Sequence, residues 1–291
     1  MILLTGANGQ LGQDFQKLFV ESNLDYIATD YKELDITNIK AIKSFVANKN
    51  ITHIINCAAY NDVDKAEQEP EKAFLLNRDA PELLAGVSKD IDAIFVTYSS
   101  DFVFDGTKGS SYTEEDIPNP ISIYADSKYQ GENAVIETYA KSFVIRTSWV
   151  FGMGNNNFNK QLIEWSKNRD KLNIVDDQKS SATYSYDLAE YSWELIKTKK
   201  YGLYHLSNRG ECSKYEQAKY VLECIGWKGT LGTAKTSDFN LPAKRSEYTK
   251  LDSSRIESVI GKKIPTWQSG IDRFLEEYRG KKRKPETGDW R

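Results

Sequence analysis

The chain has 291 residues, of which 40% are hydrophobic and 28% charged, and its formal net charge is −3. This length suffices for one large or two modest domains, and the near-neutral charge gives no electrostatic basis for binding nucleic acid or an anionic membrane. No apolar run approaches the ~18 residues of a membrane span, and a strand pattern starts at the first residue, so we expect no signal peptide and a cytoplasmic protein. The basic run Lys281–Lys284 is expected to be a solvated terminus.

The first predicted element is a short apolar strand, Ile2–Leu4, which leads into three glycines, Gly6, Gly9 and Gly12. A helical pattern follows over Gln10–Val20. In a dinucleotide-binding fold the first glycine permits a sharp turn, the second lets the backbone approach a pyrophosphate, and the third lets helix and strand pack closely. The N–H groups that open the helix then point at the phosphates. The spacing is a weak signal by itself, and a purely structural strand–turn–helix corner is the alternative.

The second predicted strand, Tyr26–Thr29, supplies the context that favours nucleotide binding. It ends at Asp30, about 20 residues beyond the glycines, where a carboxylate can accept hydrogen bonds from an adenosine ribose. A carboxylate at this position repels the additional phosphate of NADPH, whereas Lys32 is near enough in sequence to compensate. The sequence therefore leaves NADH and NADPH open.

The first half of the chain continues to alternate strands and helices, as a parallel sheet with crossover helices does. The further predicted strands are His53–Asn56, Ala93–Tyr98 and Phe143–Arg146. The predicted helices between them are Ile39–Asn48, Pro70–Ser88 and Lys128–Tyr139. We predict an α/β fold, with a Rossmann-type doubly wound parallel sheet as an NAD(P)-binding domain over residues 1–150.

After residue 150 the predicted elements become shorter and less regular. They are the strand Leu172–Val175 and the helices Phe158–Lys167, Tyr186–Lys197, Lys214–Ile225 and Ser269–Tyr278. We expect residues 151–291 to form mainly a smaller C-terminal substrate-binding lobe, from which late elements can return to the Rossmann sheet.

Cysteine and histidine usage gives little support for metal chemistry. The three cysteines, which lack C-x-x-C spacing, are expected to be reduced packing residues: Cys57, Cys212 and Cys224. The histidines His53 and His205 lie in apolar, strand-like runs and are expected to be strand residues. We therefore predict no metal site, and hydroxyl, lysine and carboxylate groups must carry any chemistry.

Tyr124 and Lys128 form the pattern Y-x-x-x-K, whose two side chains share one face if the segment is helical. Two later pairs match the pattern as well: Tyr215 with Lys219 and Tyr278 with Lys282. Position discriminates between them, because Tyr124 follows a strand whose C-terminal end carries Ser100 and Asp101. In a doubly wound sheet ligands bind outside the C-terminal ends of the strands. The two later pairs lack such a strand and are expected to be exposed helix faces.

These side chains suit the reduction of a carbonyl group. A free tyrosine has a pKa near ~10, but an adjacent ammonium and a cationic nicotinamide stabilise the phenolate, so Tyr124 can donate its proton as hydride arrives. Lys128 can also hold the nicotinamide ribose, and the Ser100 hydroxyl can hydrogen-bond the carbonyl oxygen. The hydride would come from the cofactor.

Six segments occur in an order that resembles an extended short-chain dehydrogenase/reductase, and closely resembles the dTDP-4-dehydrorhamnose reductase family over about residues 1–280. They are Thr5–Gly12, Asn56–Tyr60, Val63–Glu67, Tyr98–Gly106, Tyr124–Lys128 and Arg146–Trp149. That family uses NADPH or NADH to reduce the 4-keto group of a dTDP-6-deoxy-L-hexose in dTDP-L-rhamnose synthesis, a source of polysaccharide precursors. The resemblance implies an oxidoreductase acting on a nucleotide sugar, with dTDP-4-dehydro-L-rhamnose as the leading substrate.

The resemblance also implies roles for individual residues. Those implied for the cofactor are Gly6, Gly9, Gln10, Leu11, Asp30, Asp35, Ile36, Ala59, Tyr60, Asn61, Tyr98, Tyr124 and Lys128. Those implied for the sugar are Ser100, Asp101 and Trp149. The glycine loop is implied to meet the pyrophosphate, Asp30 the ribose, and Asp35 and Ile36 the adenine. The segment 59–61 and Tyr98 are implied to line the nicotinamide side.

Several positions differ from the family pattern. Asn61 and Asp62 replace Thr-Ala, Ser100 replaces a threonine, the loop Asp177–Thr183 lacks a glycine and a proline, and Ala243–Ser246 ends without its proline. A reductase of a different nucleotide 4-keto sugar is therefore the nearest alternative. A non-catalytic NADP-binding regulatory homologue is another, although it would not need to keep a proton donor. An epimerase or dehydratase shares the fold, but a dehydratase is expected to carry an Asp-Glu pair that this chain lacks.

Association of the chain is left open by the sequence. Some family members form a homodimer through carboxylates around a magnesium ion. The acidic position in the first helix is kept as Asp14, but Tyr186 stands at a later one. A homodimer is therefore an open prediction, and no interface magnesium is predicted.

Overall fold

The computed structural model describes residues 1–283. Its strands are β1 (Ile2–Thr5), β2 (Tyr26–Thr29), β3 (His53–Asn56), β4 (Ile94–Ser100), β5 (Ser142–Thr147), β6 (Val150–Phe151), β7 (Lys171–Val175), β8 (Lys179–Ser180), β9 (Thr183–Tyr184), β10 (Gly202–His205), β11 (Cys212–Ser213) and β12 (Thr230–Ala234). Its α-helices are α1 (Gln10–Glu21), α2 (Ile39–Val46), α3 (Val63–Ala66), α4 (Pro70–Phe74), α5 (Ala80–Asp90), α6 (Ile123–Thr138), α7 (Phe158–Asn168), α8 (Ser185–Lys197), α9 (Lys214–Cys224), α10 (Ser254–Ile260) and α11 (Trp267–Arg283).

A six-stranded parallel sheet forms the centre of the protein, in the order β10-β5-β4-β3-β1-β2. The chain leaves β1 towards β2 on one side and returns to β3 on the other, so the strand order reverses beside β1. Such a reversal opens a crevice at the C-terminal ends of the strands. The α/β fold with a Rossmann-type doubly wound parallel sheet is confirmed.

Successive residues along the strands point to opposite faces of the sheet, and each face carries its own core. On one face Leu4 packs with Phe15 and Phe19 of α1 and with Leu188 of α8. On the other face a second set of buried side chains packs under α2, α5 and α6, and includes Leu3, Ile42, Leu84 and Val135. The sheet therefore lies between two helical layers.

The second half of the chain has a core of its own. Phe151, Leu162, Ala218, Trp267 and Phe274 pack together from β6, α7, α9 and α11. In contrast, β10 pairs with β5 at the edge of the main sheet, and α8 packs on the same core as α1. The division at residue 150 stays a prediction, because elements on its C-terminal side contribute to both regions.

The elements predicted from the sequence agree with the structure to within a few residues, except at α11, which continues past the predicted end at Tyr278 to Arg283, and at α6. That helix begins at Ile123 rather than at Lys128, because the Ser122 side chain accepts a hydrogen bond from the Ala125 N–H and caps the helix. Glu67 also accepts a hydrogen bond from the Ile123 N–H. Within the predicted helix Pro70–Ser88, the segment Leu75–Asp79 is a π-helix.

The remaining general expectations concern the thiols, membrane spans and the basic tail. All three cysteines are free. Within residues 1–283, no helix is both long and apolar enough to cross a membrane. The basic run Lys281–Lys284 lies outside the residues whose side chains the structure describes.

Candidate active site

The glycine loop between β1 and α1 forms a cradle of backbone atoms. Gly6 has a φ of +65°, and a Cβ there would overlap the backbone of Ala58. A Cβ on Gly12 would overlap the Gly6 carbonyl oxygen. Gly9 caps α1 without a side-chain hydrogen bond to its first turn, which leaves N–H groups free for an anion. This cradle fits the pyrophosphate of a dinucleotide, with Gln10 and Leu11 in the first turn of the helix.

Asp30 follows β2 and is joined to the glycine loop. Its carboxylate accepts hydrogen bonds from the backbone N–H groups of Asn8 at 3.0 Å and Tyr31 at 2.8 Å. Asp30 therefore braces the loop in addition to any contact with a ribose. Further along, Asp35 accepts hydrogen bonds from the N–H and hydroxyl of Thr37, while the Ile36 side chain is buried in the core.

A second loop packs against the start of α1, a contact that sequence reasoning missed. The Asn157 amide donates a hydrogen bond to the Gln10 side chain at 2.9 Å. Gly154 lies so close to Gln10 that a Cβ would meet the Gln10 Cα. The glycines of the segment 152–157 were a signal of close backbone approach that could have indicated this contact.

The loop after β3 carries the predicted nicotinamide residues and is fixed by Asn77. The Asn77 Oδ1 accepts a hydrogen bond from the Tyr60 N–H at 2.9 Å, and its Nδ2 lies 3.0 Å from both the Tyr60 carbonyl and the Ser127 hydroxyl. Asn77 thus ties the segment containing Ala59 and Asn61 to α6. Sequence reasoning missed Asn77, which lies inside the predicted helix. A polar residue that is 3% exposed in such a helix is a sign of a structural link.

Tyr124 and Lys128 lie one turn apart on α6, and both are buried, with 8% and 7% of their surface exposed. The Lys128 Nζ donates a hydrogen bond to the Tyr98 carbonyl at 3.1 Å. The Tyr98 ring packs against Phe15 in the core, and its hydroxyl is buried. Tyr98 therefore presents its main chain, rather than its ring, to Lys128.

Burial controls the titration of this pair. It raises the pKa of Tyr124 to about 12, against a hydrogen bond with Ser100 that lowers it. It lowers the pKa of Lys128 to about 8, and the nearby Glu132 opposes that shift. At neutral pH the phenol therefore keeps its proton and the ammonium keeps its charge, which is the state that a proton donor needs.

The two other tyrosine–lysine pairs differ from this arrangement. Lys219 is exposed and pairs with Glu223, as expected for a helix face. However, Tyr215 and Tyr278 are partly buried against the third core, so the expectation that these tyrosines are exposed was wrong. Their apolar rings have a packing role that the pattern did not indicate. The side chain of Lys282 lies outside the described residues.

Ser100 and Asp101 follow β4 and form a buried hydroxyl–carboxylate cluster. The Ser100 hydroxyl donates a hydrogen bond to Asp101 Oδ1 at 3.2 Å and accepts one from the Phe102 N–H. Asp101 Oδ2 accepts hydrogen bonds from the hydroxyls of Ser180 and Thr249. Burial raises the pKa of Asp101 to about 6, against these hydrogen bonds. Sequence reasoning missed Ser180 and Thr249 as partners of this carboxylate.

Trp149 lies between β5 and β6 with a φ of +43°, which is unusual for a residue with a side chain. Its carbonyl accepts a hydrogen bond from the Thr183 N–H, and the preceding Ser148 hydroxyl donates to the Ser181 carbonyl at 2.7 Å. These bonds hold Trp149 beside the loop that supplies Ser180 to Asp101. Within residues 1–283, no group of three or more histidine, cysteine or acidic residues is placed to hold a metal.

Known proteins resemble this chain over most of its length. Residues 1–280 match the family model described as RmlD substrate binding domain. The dTDP-4-dehydrorhamnose reductase of Aggregatibacter actinomycetemcomitans is 35% identical, over 93% of this chain and 96% of that protein. The crystal structure of a dTDP-4-dehydrorhamnose reductase from Clostridium acetobutylicum is similar with a TM-score of 0.92 and 35% identity, over 96% of this chain and 99% of that one.

A further similar structure, that of dTDP-4-dehydrorhamnose reductase from Bacillus anthracis in complex with NADP, has a TM-score of 0.92 and 38% identity, over 95% of this chain and 98% of that one. Each of these likenesses covers more than nine-tenths of the chain. The chain belongs to the dTDP-4-dehydrorhamnose reductase family.

Proposed function

We propose that this protein reduces the 4-keto group of dTDP-4-dehydro-L-rhamnose to give dTDP-L-rhamnose, with NADPH or NADH as the reductant. The observation that carries the proposal is the buried Tyr124–Lys128 pair beside Ser100, at the C-terminal end of a parallel sheet. Family membership supports both the reaction and the nucleotide-sugar substrate. The protein would act in the cytoplasm, on precursors of cell-surface polysaccharide.

The glycine cradle would hold the pyrophosphate of the cofactor on the N–H groups of Gln10 and Leu11, and Asp30 would receive the ribose hydroxyls. Lys128 would hold the nicotinamide ribose through its ammonium. NADPH or NADH, when bound, supplies the hydride. The protein itself supplies binding, orientation and a proton.

The reaction needs one proton at the carbonyl oxygen, and Tyr124 is the group placed to give it. Its phenol is protonated at neutral pH, because burial raises its pKa to about 12. As the carbonyl carbon becomes a secondary alcohol, the O–H bond of Tyr124 breaks and its proton passes to the substrate oxygen. The Lys128 ammonium stabilises the phenolate that remains, and the Ser100 hydroxyl hydrogen-bonds the oxygen while charge develops there.

The choice of nucleotide sugar depends on the later loops, where this chain departs from its family's pattern. Ser180 donates to Asp101, and the Ser246 hydroxyl donates to the Phe104 carbonyl at 2.7 Å. Both serines therefore hold loop positions through side chains instead of through glycine or proline geometry. This supports a reductase of a different nucleotide 4-keto sugar as the second candidate.

Oxidation of NADH and NADPH, followed by absorbance with a panel of nucleotide 4-keto sugars, tests the proposal. We expect turnover with dTDP-4-dehydro-L-rhamnose, and turnover only with a different nucleotide or sugar would favour the second candidate. Absence of oxidation with every member of the panel would contradict the reductase and favour a non-catalytic NADP-binding homologue. A homodimer stays an open prediction, which light scattering in solution can test.

A further inference from the structure

Lys214 lies beside the candidate active site, but the proposed reduction gives it no role. It is the first residue of α9 and directly follows β11, whose Cys212 pairs with Ser180 of β8. Ser180 in turn donates its hydrogen bond to Asp101. The strand pairing therefore brings Lys214 near Asp101, whose negative charge raises the pKa of Lys214 against the effect of burial.

The ammonium of Lys214 is held by aromatic rings and not by a carboxylate. Its Nζ lies 3.5 Å from the centroid of the Trp149 ring and 4.9 Å from that of Phe158. Within residues 1–283 no carboxylate forms an ion pair with it, and the influence of Asp101 on it is only a longer-range attraction. Burial of the ammonium lowers the pKa of Lys214 to about 7. An ammonium that is removed from water and has no anionic partner carries a free-energy cost. An anionic ligand bound beside it would offset that cost.

The arrangement of groups on a sugar ring indicates which anion Lys214 would bind. In a pyranose the C4 carbonyl and the C1 phosphate lie at opposite ends of the ring. Tyr124 and Ser100 define the carbonyl end, whereas Lys214 lies over the Trp149 ring and follows the strand that pairs with Ser180, a partner of Asp101. A phosphate is the anion that a nucleotide sugar carries at the end of the ring opposite its carbonyl.

We propose that Lys214 binds the sugar-side phosphate of the nucleotide-sugar substrate, beside the Trp149 ring that its ammonium contacts. The inference rests on the proposed function, since it takes its ligand from that reaction. It makes Lys214 a specificity-determining residue, which selects a sugar attached to a diphosphate over a ligand that lacks the second phosphate.

Calorimetric titration of the intact chain with dTDP and with dTMP, each at saturating NADP⁺, tests the proposal. The two probes differ in the phosphate assigned to Lys214. In Lys214→Met, which keeps the apolar stem without the charge, we expect the Kd for dTDP to rise about 10-fold or more. The Kd for dTMP should stay within about 2-fold, because its one phosphate lies on the nucleoside side.

Lys214→Arg is the matched control, since it keeps both the charge and the stacking on Trp149, and it should recover most of the dTDP affinity. The Kd for NADP⁺ and the melting temperature report whether each variant folds. If the methionine variant does not fold, the arginine variant can still be compared with the wild-type protein. Equal losses for dTDP and dTMP, or no loss for either, would overturn the assignment and leave Lys214 a packing residue.

The proposed function is judged separately, by NAD(P)H oxidation in the wild-type protein with the nucleotide-sugar panel. An active wild-type protein whose dTDP affinity is indifferent to Lys214→Met overturns only the phosphate site. A wild-type protein that is inactive with the whole panel overturns the proposed function, and one that also binds neither probe overturns the phosphate site with it.

Discussion

The cofactor side and the substrate side of the candidate site are built from different groups. On the cofactor side the critical feature is the absence of Cβ atoms at Gly6 and Gly12, where backbone passes against backbone. On the substrate side it is a set of side chains around Asp101, which draws hydroxyls from Ser180 and Thr249. A change in atom size should therefore damage the first region, whereas a change in hydrogen bonding or charge should damage the second.

Loss of the proton donor should have the largest effect and should separate chemistry from cofactor binding. Tyr124→Phe is expected to lower kcat by at least ~10²-fold, because only the phenolic proton is lost. The Kd for NADPH, measured by fluorescence titration, should change little. Tyr215→Phe is the control, because that ring packs against the third core, and it should leave kcat near the wild-type value. Near-normal turnover of Tyr124→Phe would show that Tyr124 is not the proton donor.

A single methyl group in the glycine cradle should break the cofactor side. Gly12→Ala places a Cβ on the Gly6 carbonyl oxygen and on Ala7, and relief of that overlap should cost about 1–3 kcal/mol and raise the Kd for NADPH. In the control Gly86→Ala, the new Cβ would lie 3.9 Å from the Thr138 side chain, an ordinary contact inside α5, so cofactor binding should be unchanged. Equal NADPH affinity in the two variants would contradict the role of the cradle.

The pH profile should show the charge that the active site requires. The pKa of Lys128 lies at about 8, below its usual range, so its ammonium is present below that pH and is lost as pH rises through it. We expect kcat/KM, which reports the groups of the free enzyme, to fall about 10-fold per pH unit well above pH 8. Lys128→Arg keeps its charge across this range, so any activity it retains should lack this alkaline limb. An unchanged limb in that variant would assign the limb to another group.

Substitutions of Asp30 can separate two roles of its carboxylate on the cofactor side, one structural and one electrostatic. Asp30→Asn keeps an oxygen to accept from the Asn8 N–H while it removes the negative charge. The ratio of kcat/KM values should shift towards NADPH by several-fold, since the repulsion of the additional phosphate is lost. Asp30→Ala should shift the same ratio but also weaken both cofactors. If neither variant moves the ratio, Lys32 or another group sets the preference.

The smallest change is expected from one hydroxyl on the substrate side. Ser180→Ala removes one hydrogen bond to Asp101, a change of about 0.5–1.5 kcal/mol. The Asp101 carboxylate is then less stabilised, so the acidic limb of the kcat/KM profile, expected near its pKa of about 6, should move to higher pH. Ser166→Ala, which removes a hydroxyl that donates to the Ile163 carbonyl of its own helix, is the control. If the acidic limb of the kcat/KM profile lies at the same pH in both variants, the protonation of Asp101 does not control activity.

The two regions also differ in how far the sequence reveals them. The glycine loop was predictable because its residues lie within one strand–turn–helix unit, and the Tyr124–Lys128 pair because four residues make one helical turn. Ser180 and Thr249 meet Asp101 from 79 and 148 residues away, and no local pattern indicates such a contact. Only folding of the later loops brings these hydroxyls to the carboxylate.

The start of α6 illustrates an intermediate case. The cap at Ser122 is a local signal, and placing the helix start there would have put Tyr124 inside the first turn from the sequence alone. Asn77 is harder, because its role depends on a π-helical segment and on its contact with Ser127, 50 residues away. Among the described residues no carboxylate pairs with the Lys214 ammonium, and this could not be predicted from the sequence, because it depends on which acidic side chains the fold brings near it.

Isotope transfer tests the reduction itself, because it follows the hydrogen that must move from the cofactor to the sugar. The wild-type protein would be supplied with dTDP-4-dehydro-L-rhamnose and with NADPH deuterated at C4 of the nicotinamide, and the product would be analysed by NMR. We expect a dTDP-linked 6-deoxy sugar that carries deuterium at C4 of its ring when one of the two C4 epimers of the deuterated cofactor is used, and no deuterium with the other. A product without deuterium at that carbon from either epimer, or no product at all, would contradict the proposed reduction.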